Sequence, residues 1–168
     1  MTKDRPIFSD DPLVLATANQ RRASAPDTSV WVAASAGTGK TKVLTDRVLR
    51  LLLTGTAPQR LLCLTYTKAA TAEMATRIAS RLSAWAAEPD DHILSEQIRE
   101  LTGTIPDQKK CDEARRLFAR VLDVPGGLKI QTLHAFCQSL LQRFPLEAEV
   151  LPHFTVLDEQ NSALDRKS

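Results

Sequence analysis

Apolar positions along the chain alternate between short continuous runs and longer stretches with helical spacing. Residues 30–34, VWVAA, predict a buried strand, and residues 61–65, LLCLT, form a second short apolar run. Each run is followed by a stretch with apolar residues three and four positions apart, at 40–53 and at 68–85, which predicts a helix. Strands and helices that alternate over short connections are typical of a parallel sheet covered by helices. The pattern therefore predicts an α/β fold.

The remaining elements are predicted before and after this core pattern. A helix is expected at about residues 11–22, where a proline lies at the first helical position. Residues 92–123 are charged and have helical spacing, with an interruption at 102–106. A third strand is predicted at 128–131, and Thr132 can cap the helix that follows it. The middle of the chain is therefore expected to be helical, with strand and helix resuming after it.

Composition and charge exclude some classes of protein but do not indicate a function. The 168 residues are 43% apolar and 25% charged, as in ordinary globular domains. A net charge of +2 excludes a polybasic binder, so any nucleic-acid contact must come from a local groove. No run approaches the ~18 uncharged apolar residues of a membrane span. Three widely spaced cysteines and an N-terminus without a signal-peptide pattern predict a cytoplasmic location.

A glycine-rich segment follows the first predicted strand and precedes a helix. Residues 34–41, ASAGTGKT, have the spacing of a phosphate-binding P-loop, with alanine in place of the first glycine. Gly37 and Gly39 permit backbone conformations and a close approach that a Cβ would obstruct. Lys40 can supply a cation to the β- and γ-phosphates, and Thr41 a hydroxyl to Mg²⁺. The alternative is a glycine-rich turn with a surface lysine. The predicted nucleotide-binding residues of this segment are Ala34, Ser35, Ala36, Gly37, Thr38, Gly39, Lys40 and Thr41.

Two further segments place hydroxyl groups between a strand and a helix. In residues 63–74, CLTYTKAATAEM, threonines flank Tyr66, whose ring can stack on a base. Residues 129–137, KIQTLHAFC, repeat the arrangement, with His134 and Phe136 in the first turn of the helix. Taken alone, the first segment is more typical of a strand–turn–helix with a core tyrosine, and the second of a structural histidine. Neither segment by itself predicts a function.

In their order along the chain, the three segments carry a resemblance to a known family. ASAGTGKT, LCLTYTKAATAEM and KIQTLHAFCQSLLQRFPLEAEV resemble motifs I, Ia and Ib of UvrD/RecB-type superfamily 1 helicases, and in particular the AddA-type helicase–nuclease subunit of double-strand-break repair. The resemblance covers about residues 12–157. It implies that ATP binds at the P-loop and that Gln20 lies where the family recognises adenine. It also implies single-stranded DNA contacts at Thr65, Tyr66, Thr67, Lys68, Thr132, His134 and Phe136.

The resemblance also implies an architecture and a set of partners. The expected fold is an α/β P-loop NTPase (RecA-like) parallel sheet with a helical insertion, as an incomplete lobe. Residues 1–88 would be the N-terminal part of the lobe, 89–127 the insertion, and 128–168 the continuation of the lobe and the start of a further region. The family unwinds duplex DNA and moves along single-stranded DNA with ATP, and an AddB-like partner subunit is implied for the longer parent protein.

One departure from the family concerns the acidic motif that completes such a site. The family needs a strand ending in Asp-Glu, which holds Mg²⁺ and positions the attacking water. Residues 157–160, LDEQ, have this form, but the strand before them contains Thr155 and follows a proline, which a buried central strand disfavours. We therefore assign no catalytic residue. The chain is expected to be an N-terminal part of a helicase that binds nucleotide weakly and hydrolyses it negligibly. The alternatives are a non-catalytic nucleic-acid or partner-binding module and an unrelated P-loop NTPase.

Overall fold

The computed structural model describes residues 12–33, 37, 39–151 and 154 of the chain. Helices predominate, and two strands pair in a parallel sheet, which confirms the α/β class. Within the described residues, no helix is long and apolar enough to cross a membrane. The elements in chain order are α1 (Pro12–Ala23), α2 (Lys40–Leu53), a 3₁₀ turn (Pro58–Arg60), β1 (Leu62–Thr65), α3 (Lys68–Ala87), α4 (Asp91–Thr102), α5 (Gln108–Leu122), β2 (Lys129–Thr132) and α6 (Leu133–Arg143).

The strand predicted at residues 30–34 is wrong for residues 30–33, its described part. These residues carry no strand pairing, and Trp31 is 93% exposed. A parallel strand receives its backbone hydrogen bonds from neighbouring strands, and the sheet of the described residues contains only β1 and β2. The apolar run expresses a preference for burial but does not specify a pairing partner. Ala34 lies outside the described residues.

Contacts divide the chain into two compact units. The first comprises the residues up to Leu62 together with Ala72–Lys129, and the second comprises Cys63–Thr71 together with the residues from Ile130 onward. The first unit therefore holds α1, α2, α4 and α5, and the second holds most of the sheet and α6. The three-region division at residues 88 and 127 stays a prediction.

The core of the first unit is built around α2. This helix packs against α1, α4 and α5, and α4 packs against α5. The apolar stripes predicted for the helices at 40–53 and 68–85 supply much of this core, because a stripe three and four residues apart faces one side of a helix. The buried apolar side chains of this unit are Val43, Val48, Leu49, Leu52, Leu53, Leu61, Met74, Ile78, Leu82, Trp85, Leu94, Ile98, Leu101, Cys111, Ala114, Leu117 and Val124.

Local capping explains the interruption predicted at residues 102–106. The helix α4 ends at Thr102 and is capped by Gly103, whose φ of +82° is the left-handed conformation that glycine adopts without strain. The N–H of Gly103 donates to the Arg99 carbonyl at 2.7 Å. Pro106 follows, and the carboxylate of Asp107 then caps α5 by accepting the Lys110 N–H at 2.9 Å. The break between the two helices is thus specified by residues next to it in sequence.

An ion pair joins the first turn of α4 to α5. Arg115 Nη2 lies 2.6 Å from Asp91 Oδ1, and Gln108 Nε2 donates to Asp91 Oδ2 at 3.0 Å. Arg115 Nε also donates to the Glu88 carbonyl at 3.0 Å. The hydrogen bonds from Arg115 and then Gln108 hold the pKa of Asp91 below its ordinary value.

This lowered pKa predicts a pH dependence of stability. Because the folded-state pKa of Asp91 is depressed, its contribution is present above the unfolded-state value of about 4 and is lost as the pH falls through the folded-state pKa. We expect Asp91→Asn to lower the free energy of unfolding at pH 6 and to differ less from the wild type at pH 3. Urea titrations at both pH values measure this, with Glu147→Gln, an exposed carboxylate after α6, as the control. An equal deficit at both pH values would contradict the assignment.

Candidate functional site

The described part of the glycine-rich loop enters α2 through two left-handed glycines. Gly37 has a φ of +81°, and Gly39, the residue before the helix, has a φ of +85° and a ψ of 20°. Left-handed residues among right-handed ones turn nearby N–H groups into a concave surface that accepts an anion. A residue with a Cβ would be strained at either position. The predicted site residues Ala34, Ser35, Ala36 and Thr38 lie outside the described residues.

The first turn of α2 presents backbone N–H groups toward the loop. Gly39 has no side chain to cap the helix, and the first turn contains no acidic residue. The first intrahelical hydrogen bond runs from the Val43 N–H to the Gly39 carbonyl at 3.0 Å, so the N–H groups of Thr41 and Lys42 have no acceptor within the helix. These donors and the positive end of the helix dipole favour an anion. Lys40 is exposed and Thr41 is half-buried in this turn.

Gln20 lies beside the glycine-rich loop. A Cβ placed on Gly39 would lie 3.2 Å from Gln20 Nε2, tighter than an ordinary van der Waals contact. Gln20 belongs to α1 and Gly39 immediately precedes α2, so packing between these helices brings the two residues together. The sequence suggests a role for Gln20 only through the family resemblance. No pattern in the residues around Gln20 predicts that it lies next to Gly39.

Arg50, which sequence reasoning did not identify, holds the C-terminus of α1. Arg50 Nη1 donates to the Arg21 carbonyl at 2.8 Å and to Ser24 Oγ at 3.0 Å. Ser24 is almost fully buried, and its own hydroxyl donates to the Arg21 carbonyl at 3.1 Å. Burial lowers the pKa of the Arg50 guanidinium, while Asp27 and Asp46 act in the opposite direction. Arg50 thus satisfies acceptors at the end of another helix.

Arg47 makes a similar contact with the turn that follows α1. Its Nη1 donates to the Ala25 carbonyl, and its Nη2 donates to the Thr28 carbonyl at 2.6 Å. Arg47 and Arg50 lie three residues apart on α2, which places them on one face of the helix. The only signal in the sequence is this spacing, which is equally typical of a solvent-facing pair.

In the second unit, threonines organise the turn between β1 and α3. The hydroxyls of Thr65 and Thr71 lie 2.7 Å apart, and both lie within hydrogen-bonding distance of the Thr67 carbonyl, at 3.1 and 3.2 Å. The hydroxyl of Thr67 accepts the Ala70 N–H at 3.1 Å. The predicted contact residues Thr65 and Thr67 therefore shape the turn, and the sequence did not indicate this network.

The side chains between and after these threonines face solvent. Tyr66 is 86% exposed, so the alternative of a core tyrosine is wrong for this structure. Lys68, in the first turn of α3, is also exposed. A large aromatic ring held on a hydrogen-bonded turn and open to solvent can stack on a planar ligand.

The strand β2 and the helix α6 form a second strand–threonine–helix turn, and β2 pairs with β1. The hydroxyl of Thr132 accepts the Ala135 N–H at 3.2 Å, which confirms the predicted cap of α6. His134 is exposed and Phe136 is half-buried. Because β1 and β2 are parallel neighbours, Tyr66 and His134 follow the carboxyl ends of their strands at one edge of the sheet.

Comparison with known proteins gives a family and a set of relatives. The UvrD/REP helicase N-terminal domain matches residues 15–167. Three of the relatives are ATP-dependent helicase/nuclease subunits of bacteria. The chain is 37% identical over 136 residues to that of Lactobacillus helveticus, 34% over 138 residues to that of Enterococcus faecalis, and 36% over 143 residues to that of Desulforamulus reducens. The alignments cover 80–83% of this chain and 9–10% of the relatives. The chain therefore spans about a tenth of the length of these curated relatives.

Proposed function

The chain belongs to the UvrD/REP helicase family through its match to the N-terminal domain of that family, and from this membership we propose that its glycine-rich loop binds the phosphates of ATP within a RecA-like P-loop lobe. The observation that supports the proposal most directly is the pair of left-handed glycines, Gly37 and Gly39, at the N-terminus of α2. Phosphate oxygens would accept hydrogen bonds from the N–H groups of this turn, as at other helix N-termini that bind anions.

Two side chains of the same turn complete the proposed phosphate site. The ammonium group of Lys40 would contact the β- and γ-phosphates, and the hydroxyl of Thr41 would face Mg²⁺. When Mg²⁺ is bound, it would neutralise part of the negative charge of the phosphates. The donor set proposed for this turn, with backbone N–H groups, the Lys40 ammonium and the Thr41 hydroxyl and with no acidic residue in the turn, suits a magnesium-bound triphosphate.

The amide of Gln20 supports adenine as the base. A side-chain amide offers an NH₂ group that can donate to N7 of adenine and a carbonyl oxygen that can accept from its N6 amino group. Guanine presents two acceptors, N7 and O6, at the same edge, so one of them would face the amide oxygen. The position of Gln20 Nε2 next to Gly39 is the geometry that this proposal rests on.

We further propose that the edge of the sheet in the second unit contacts single-stranded DNA. Exposed Tyr66 and Lys68 offer a stacking surface and a cation, and exposed His134 follows the neighbouring strand. Stacking and phosphate contacts of this kind tolerate any base sequence, as a helicase requires. The contact residues on which this proposal depends are Thr65, Tyr66, Thr67, Lys68, Thr132, His134 and Phe136.

For the longer protein, we propose an ATP-dependent DNA helicase of double-strand-break repair in the cytoplasm. The relatives are called helicase/nuclease subunits, and a subunit requires a second chain, which supports an AddB-like partner. Within this chain, we propose that 1–88 and 128–168 form the lobe and that 89–127 is its insertion.

Isothermal titration calorimetry of the chain with ATP and Mg²⁺ tests the central proposal. We expect saturable binding for which inorganic tripolyphosphate competes with ATP. No saturable binding at millimolar ATP would contradict a phosphate site. Salt-dependent binding of single-stranded DNA by a chain that binds no nucleotide would instead support a non-catalytic nucleic-acid module.

The DNA contact makes a separate prediction at Tyr66. We expect Tyr66→Ala to weaken binding of a labelled oligothymidylate by roughly five- to hundredfold, the effect of removing one aromatic stacking partner. Tyr66→Phe keeps the ring and should bind nearly as the wild type does. Because Tyr66 is 86% exposed, neither change removes a core contact. Fluorescence anisotropy at one fixed salt concentration measures the affinity, and equal binding by Tyr66→Ala and wild type would rule out stacking.

A further inference from the structure

The end of α1 is fastened to α2 by two guanidinium groups. Arg50 Nη1 donates to the Arg21 carbonyl at 2.8 Å and to Ser24 Oγ at 3.0 Å. Arg47 bridges two carbonyls of the next turn, those of Ala25 and Thr28. Together these contacts form what we call the arginine clasp, defined as Arg47 and Arg50 with the acceptors just named.

The clasp satisfies polar groups that a helix end leaves without partners. The last carbonyls of an α-helix have no intrahelical donor, and cations near this end also interact favourably with the helix dipole. In α1 the Ser24 N–H donates to the Gln20 carbonyl at 3.0 Å, and Arg50 donates to the next carbonyl, that of Arg21. A guanidinium can donate to two carbonyls at once in a fixed geometry, which a lysine ammonium on a flexible stem does less well.

The helix end that the clasp holds is also the part of α1 that carries Gln20. The amide of Gln20 lies next to Gly39, at the start of the helix from which the clasp arginines project. Two points of contact between α1 and α2 are thus linked: the clasp in the second half of α2 and the Gln20 amide at its start. If the clasp is removed, α1 can shift relative to α2. Such a shift changes the distance between the Gln20 amide and a base bound next to the loop.

We infer that Arg47 and Arg50 are positioning residues for base selectivity, which hold α1 so that the Gln20 amide distinguishes adenine from guanine nucleotides. The inference rests on the proposed function, in which the loop at Gly39 binds the triphosphate and Gln20 contacts the base. The hydrogen bonds of the clasp go to the end of α1 and the turn after it, so the clasp would act on base selectivity and not on the phosphates.

The test is a comparison of three ligands on the 168-residue chain: ATP, GTP and inorganic tripolyphosphate. One bidentate amide–base contact gives a wild-type preference for ATP over GTP of roughly five- to hundredfold. We expect Arg47→Met and Arg50→Met to remove most of this preference while the affinity for tripolyphosphate stays within about twofold of the wild type, since phosphate contacts carry no base information. The lysine variants at both positions should retain an intermediate preference. Arg116→Met, at an exposed position of α5, is the matched control and should leave the preference unchanged.

A double-mutant cycle separates positioning from a general loss of structure. If the clasp acts through Gln20, then Arg50→Met in a Gln20→Ala background should change the ATP/GTP ratio no further. Clasp variants, including the lysine ones, that keep the full wild-type ratio would overturn the inference. Wild-type protein that binds tripolyphosphate but prefers neither nucleotide would overturn it as well, with the phosphate site intact. Absence of tripolyphosphate binding would be the distinct result that removes the proposed function itself.

Discussion

Lys40→Ala is expected to weaken the binding of ATP by roughly ten- to hundredfold, because the substitution removes a charge-assisted contact with the phosphates. Lys40 begins α2 directly after the left-handed Gly39, so its side chain starts at the mouth of the proposed anion site. It is exposed, so the substitution removes no core contact. Calorimetric titration with ATP and Mg²⁺ measures the loss, and an equal loss is expected with tripolyphosphate because Lys40 contacts no base in this proposal.

Lys42 supplies the matched control for this experiment. It lies two residues further along the same helix, where its Nζ is 2.6 Å from Asp46 Oδ2. Residues two apart do not share a helix face, so Lys42→Ala removes the same charge from the same helix at another position. We expect a change of less than about threefold, the effect of one screened surface charge. If Lys40→Ala and Lys42→Ala weaken ATP binding equally, the effect is one of net charge and the proposed phosphate contact is wrong.

Trp85→Ala is expected to lower the free energy of unfolding by about 3–5 kcal/mol, the usual cost of truncating a large buried aromatic side chain. Trp85 has no solvent exposure and is among the largest fully buried side chains of the first unit. Domains of this size are stable by about 5–15 kcal/mol, so this loss removes a large part of the total. Urea titration followed by far-ultraviolet circular dichroism measures it.

The two tryptophans of the chain provide an internal contrast. Trp31 is 93% exposed and Trp85 is fully buried, so Trp31→Ala should cost no more than about 0.5 kcal/mol. Trp85→Phe should cost much less than Trp85→Ala. The indole Nε1 of Trp85 is buried without a hydrogen-bond partner among the described residues, and the phenyl ring removes this unpaired donor while it keeps most of the volume. Equal destabilisation by Trp31→Ala and Trp85→Ala would contradict the burial that the structure assigns.

Elements specified by neighbours in sequence were predicted well. The helices at 40–53 and 68–85 were expected from their apolar stripes, and the structure has α2 and α3 at these positions. The cap of α6 by Thr132 was expected for the same local reason, because the hydroxyl and the N–H that it accepts lie three residues apart. A helix satisfies its backbone within its own segment, so periodicity and end signals suffice to find it.

The strand prediction at residues 30–34 did not have this support. Its apolar residues are favourable for a strand, yet a strand is completed by another segment of chain, and residues 30–33 have none among the described residues. The runs at 61–65 and 128–131 have the same local character and do form strands, because β1 and β2 pair with each other. Local composition does not separate these cases.

The sequence by itself determined the helices, their caps and the turn that the glycines of the loop make, because each depends on residues a few positions apart. Only the tertiary structure decided which side chains surround that loop. The proximity of Gln20 to Gly39 and the hold of Arg47 and Arg50 on the end of α1 arise from the packing of two helices. The angle and offset of that packing are set by core side chains from separate segments of the chain, and no pattern within one segment encodes them.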